Sequence, residues 1–85
     1  MPLHIKTTKK NNTIRHGLYN DNGKFIAGIE FEGKSKTIYS VNAEIFSEEN
    51  QRMILRILMR EYHRNGDPIH ALKKVAPICE KFMFL

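Results

Sequence analysis

Arg52, Arg56, Arg60 and Arg64 recur at a strict four-residue interval. On a helix each step of four residues overshoots a full turn by about 40°, so the guanidinium groups form a slowly winding stripe that also contains His63. Arginine at every one of these positions matters chemically. Its planar fork makes bidentate bonds to phosphate or carboxylate and stacks on bases, which the lysine ammonium does not. Two readings fit the stripe. It recognises an anionic partner, or it is a solvated face on which Arg52 and its neighbours pair with Glu48, Glu49 and Glu61, each pair contributing a few tenths of a kcal/mol.

Other candidate chemistry is weaker. Gly28-Ile29-Glu30-Phe31-Glu32-Gly33-Lys34-Ser35 satisfies the letter of the P-loop pattern, in which backbone amides cradle phosphates and the lysine reaches the outer groups. Its context is that of a strand and a turn. The residues between the glycines alternate apolar and acidic, a further strand rather than a helix follows Ser35, and two glutamates would repel a nucleotide. His4, His16, His63 and His70 fall in four different elements, with no i, i+4 pair to hold a metal. His16 alternates with Ile14 and Leu18, as a core or edge histidine does. Cys79 stands at near-helical spacing from Val75 and Phe82, with nothing nearby to activate a thiolate. Glu30 and Glu32 share a strand face and read as solvated. No catalytic constellation or cofactor site emerges, and the chain reads as non-enzymatic.

The elements that must position the stripe follow from periodicity and punctuation. Residues 1–12 read as a short N-terminal strand followed by a basic arm, Lys9-Lys10-Asn11-Asn12, and residues 13–85 as a single small α+β domain. A strand over 13–19 leads to Asn20-Asp21-Asn22-Gly23, a hairpin turn whose residues tolerate positive φ. The strand over 24–32 alternates Phe25, Ala27, Ile29 and Phe31 against Lys24, Ile26, Gly28, Glu30 and Glu32, which implies one buried face. After Gly33-Lys34, a strand over 35–41 carries Thr37, Tyr39 and Val41 on one side. The expectation is an antiparallel meander of three strands, with a fourth available from the N-terminus. Two helices then pack on one face, making a two-layer α+β fold.

The first helix spans 47–65, with Ser47 as N-cap, Glu48 and Glu49 opposing the helix dipole, and Asn65-Gly66 at its end. Asp67-Pro68 starts a second helix with an apolar side of Ile69, Leu72, Val75 and Ala76 and a basic side of His70, Lys73 and Lys74. Pro77 is expected to kink or end it. The tail beyond is apolar at Ile78, Phe82 and Leu85, and serves either as a last turn packed on the core or as a docking segment.

Lys and Arg exceed Asp and Glu by 14 to 9, a formal charge of +5, which favours anionic partners and also suffices as mere solubility. One cysteine among 85 residues excludes an internal disulfide and fits a reducing cytoplasm. No apolar run approaches a membrane span, and no signal segment opens the chain. A core this small has a thin margin of stability, for which dimerisation is an obvious remedy.

The order Asn22-Gly23-Lys24, alternating strand, Gly33-Lys34-Ser35, long helix, Asn65-Gly66-Asp67-Pro68 and Ile69-His70-Ala71-Leu72-Lys73-Lys74 resembles the TSCPD domain, over about residues 13–78. That domain occurs at the C-terminal end of cobalamin-dependent ribonucleotide reductases and as free-standing proteins. The Thr-Ser-Cys-Pro-Asp signature is absent, Ile78-Cys79-Glu80 standing nearest to it, so no catalytic residue is carried over. The resemblance implies an accessory module associated with nucleotide reduction.

Two functions are therefore expected. The first is an accessory or regulatory module that presents Arg52, Arg56, Arg60, Arg64, His63, Lys73 and Lys74, or the tail, to a protein partner or a second copy of itself. The alternative is a nucleic-acid binder that lays the stripe along phosphates, with Lys9 and Lys10 as arm contacts. The outward sheet face promises little beyond Tyr19 or Tyr39, so no base-stacking platform is expected. The scattered carboxylates tilt the choice towards protein.

Overall fold

A computed structural model describes residues 2–84. Strands β1 (His4–Lys10), β2 (Thr13–Tyr19), β3 (Phe25–Glu32) and β4 (Lys36–Val41) form one antiparallel sheet in sequence order, followed by helices α1 (Glu48–Asn65) and α2 (Pro68–Phe84). Both helices cover the same sheet face. Leu18, Ala27 and Ile29 point from that face into a core completed by Ile26, Phe46, Ile54, Leu58, Ala71, Leu72, Val75 and Cys79. The fold is the α+β meander and helix pair that the periodicity implies.

The turns form where residue chemistry allows them. Asn20 Oδ1 accepts the amides of Asn22 and Lys24 at 2.9 Å each, and Gly23 takes the positive φ of 82° that closes the β2–β3 hairpin. Ser47 caps α1 by accepting the Asn50 amide at 3.2 Å, and the Gly66 amide, at φ 67°, donates to the Tyr62 carbonyl at 2.7 Å. Asp67 Oδ1 then accepts the Ile69 amide at 3.0 Å and starts α2.

Three expectations are corrected. Lys9 and Lys10 belong to no arm: β1 runs through both, pairing Lys9 with Ile14 and Lys10 with Thr13, and Asn11 turns the chain at φ 56°. Because side chains alternate along a strand, these two lysines project to opposite sides of the sheet and cannot act together. Second, α2 does not end at Pro77. The ring is exposed, so the Lys73 carbonyl that it deprives of a donor faces water, and the helix continues to Phe84. Phe82 and Met83 pack on the core, whereas Phe84 stays 53% exposed; Leu85 lies outside the described residues.

The third correction concerns phase. Leu18 pairs with Ala27 but Tyr19 pairs with Phe25, a bulge that leaves Ile26 unpaired opposite the Leu18–Tyr19 step. Ile26 therefore turns into the core at 0% exposure, and Phe25, expected on the buried face, is carried to the outer one. Tyr39 makes the opposite exchange, pointing inward to meet the Tyr62 ring at 6.4 Å.

Candidate binding surfaces

Arg52, Arg56, Arg60 and Arg64 all lie on the exposed side of α1, opposite the buried Ile54 and Leu58. Their carboxylate partners are few and loose. Arg52 meets Glu48 at 3.7 Å and Arg64 meets Glu61 at 3.9 Å, with the arginine side chains 73% and 67% exposed. The Arg52–Glu48 pair, open to solvent on both sides, contributes little because water screens the attraction and two long side chains lose freedom; Arg64 meets a mostly covered Glu61, but at a longer distance. Among the described residues no carboxylate lies within ion-pairing distance of Arg56 or Arg60. The centre of the stripe is thus uncompensated cation.

Exposed Met53 and Met59 stand three residues to either side of Arg56, so the middle of this face is one guanidinium between two thioethers. A depression of about 230 Å³ beside it is lined by Glu49, Arg52, Met53 and Arg56. Elsewhere on the helix's apolar arc Ile57 and Tyr62 pack against the core, and Leu55 is partly covered.

The second basic group joins the stripe at one end. Glu61 lies between Arg64 and His70, 3.9 Å from each, which places the start of α2 beside the end of α1's cationic row. Lys74 follows one turn beyond His70 on the same side. Lys73 and His63 are exposed as well.

The outer face of the sheet carries functional groups that the sequence concealed. Lys6, Thr8 and Lys10 of β1, Arg15 and Tyr19 of β2, and Phe25 and Glu30 of β3 share it. Arg15 lies over the Phe25 ring, 4.8 Å from its centroid, and bonds Glu30 Oε1 at 2.9 Å; Lys6 lies over the Tyr19 ring at 5.3 Å. Partial burial is the largest influence on Arg15 and disfavours its charge, but the bonds and charges of Glu30 and Tyr19 together outweigh it and the guanidinium pKa is raised. The signal that could have exposed this face was Ile26, an isoleucine in the polar phase of its strand.

The remaining candidates are structural. Gly28 to Glu32 of the P-loop-like segment run in β3, and Gly33 at φ 63° turns the chain to β4. His16 faces inward, with Nδ1 2.8 Å from Thr7 Oγ1 and its ring edge-on to Phe31; burial lowers its pKa, and Asp67 opposes that in part. Cys79 is wholly buried, and burial, then the Glu80 charge, push its thiol up to about 12, which leaves it unreactive. Among the described residues no three His, Cys, Asp or Glu side chains gather as a metal site, and no helix is long and apolar enough to cross a membrane. Compared with family models, curated proteins and solved structures, the chain matches none.

Proposed function

We propose that this chain is a non-catalytic binding module that holds a protein partner against the outer face of α1. The observation that carries the reading is Arg56, unpaired among the described residues and flanked by exposed Met53 and Met59. Arginine and methionine are enriched where proteins meet, since one makes directional bonds to carboxylates and the other is a flexible apolar surface that adapts to its partner. A phosphate backbone offers nothing to the methionines, and Glu48 and Glu49 at the head of the helix repel it. The partner accordingly presents acidic groups beside an apolar patch, meeting Arg52, Arg56, Arg60 and Arg64, with His70 and Lys74 at the rim. The TSCPD-like order of turns and helices makes a ribonucleotide reductase one partner to try.

The test is affinity capture from an extract of the source cells with three baits: the wild-type chain, Arg56→Glu/Arg60→Glu, and Lys6→Glu/Lys10→Glu as a charge-matched control on the opposite face. A protein retained by the first and third baits and lost from the second supports the reading. Identical recovery on all three, or loss from the sheet-face bait alone, overturns it.

A further inference from the structure

We infer that the outer face of the sheet is a second, independent docking surface, and that its occupant is a single-stranded nucleic acid. Both helices lie on the other side, so no element of the described chain covers this face. At its centre Gly17 and Gly28 sit directly opposite one another, and the Tyr19 and Phe25 rings lie against them: a Cβ at either glycine would come within 3.1 Å of Phe25 Cε1. The bulge that turns Phe25 outward brings the two rings together, edge to face at 5.6 Å. An aromatic pair resting on a glycine floor in the middle of an open sheet, with Lys6 over the Tyr19 ring and Arg15 over the Phe25 ring, makes a mixed aromatic and cationic surface for planar anionic ligands.

The charges around the pair favour an anion. Arg15 is held to Glu30 and Lys36 to Glu32 at 2.9 and 3.5 Å, which neutralises both carboxylates of this face. Lys6 and Lys10 remain in excess. Beside Lys10 and Arg15 lies a depression of about 360 Å³ lined also by Thr8, Thr13, Asn11 and Glu30, where hydroxyls and cations converge. Arg15, fixed between the Phe25 ring and Glu30, keeps a side chain 41% exposed. Guanidinium planes and aromatic rings are the two surfaces on which unpaired bases stack, and the lysines supply the phosphate contacts. A duplex hides its bases and would leave the ring pair unused. A sheet this narrow serves about two or three bases.

Fluorescence anisotropy of labelled dT12 and rU12 tests this, the two probes separating DNA from RNA. The wild-type chain binds at about 50 mM salt and loses about sevenfold in affinity at about 200 mM, as expected for the two free lysines on a single strand. Lys6→Glu/Lys10→Glu lowers affinity about tenfold or more, and Arg56→Glu/Arg60→Glu, the same change of net charge on the helix face, by less than about threefold. Tyr19→Leu, which keeps the apolar bulk, lowers affinity severalfold with an unchanged salt slope, and circular dichroism confirms that each variant is folded. Absence of binding at low salt, equal losses in both double variants, or an inert Tyr19→Leu overturns the inference. So does a dimer that Lys6→Glu/Lys10→Glu dissociates while leaving oligonucleotide binding intact, since a second copy would then own the face.

Discussion

Adding a single methyl group at Gly28 should destabilise this protein far more than the same change at Gly17, although the two glycines are cross-strand partners. A Cβ at Gly28 would stand 2.7 Å from the His16 carbonyl oxygen and 2.9 Å from Phe25 Cε1. The carbonyl belongs to the central sheet and cannot retreat without disturbing the β2–β3 ladder, so the cost lies towards the upper end of overpacking, about 2–3 kcal/mol. A Cβ at Gly17 would meet only ring atoms, Tyr19 Cε1 at 2.9 Å and Phe25 Cε1 at 3.1 Å, and rings can swing outward. Some of that smaller cost is offset because alanine loses less chain entropy than glycine on folding, which leaves Gly17→Ala within about 1 kcal/mol of wild type. Urea denaturation reads the difference. With a slope of about 1 kcal/mol per molar urea, the midpoint falls by about 2–3 M for Gly28→Ala and by under about 1 M for Gly17→Ala. In a Phe25→Ala background the Gly17→Ala penalty falls, leaving only the movable Tyr19 ring in its way, whereas most of that of Gly28→Ala persists because the His16 carbonyl remains. Equal costs at the two sites, or full rescue of Gly28→Ala by removing Phe25, would refute the part given to the His16 carbonyl; no relief of either variant by removing Phe25 would refute the outward placement of Phe25 and the bulge that produces it.

Two further predictions concern stability. Burial lowers the His16 pKa, so as pH falls below about 6.5 the unfolded chain takes up a proton that the folded one resists; the urea midpoint should drop over that window, and His16→Gln should flatten the drop. Pro77→Ala restores the missing α2 hydrogen bond at an exposed site and should raise stability by about 1–3 kcal/mol, seen as a higher thermal midpoint; a lower one would mean that the ring serves as a contact.

The helices and the two later hairpins were legible in the sequence because their signals are local. Ser47, Gly66 and Asp67-Pro68 act through hydrogen bonds and φ values within one turn, and the structure places each where those rules put it. The full length of β1 was not legible, because Thr7, Thr8, Lys9 and Lys10 lack apolar alternation; the strand is held by the ladder to β2 rather than by burial. The identities of Phe25 and Tyr39 on the two faces were also hidden. A bulge inverts the phase of one strand by a tertiary decision: burying Ile26 in the core and setting the Phe25 ring over the glycines together outweigh regular pairing. The arginine stripe was visible at once. What spacing alone could not reveal is that its end pairs are loose and its middle is bare.

Chemical-shift mapping tests most directly the proposed docking of a protein on the exposed side of α1. The isotopically labelled chain would be titrated with the protein recovered by capture, and backbone amide shifts followed along the whole sequence. Shifts should concentrate at residues 52, 53, 56, 59, 60 and 64 and taper towards His70 and Lys74, with Lys6, Tyr19 and Phe25 unmoved. Shifts confined to the sheet face, or none at saturating partner, would contradict it.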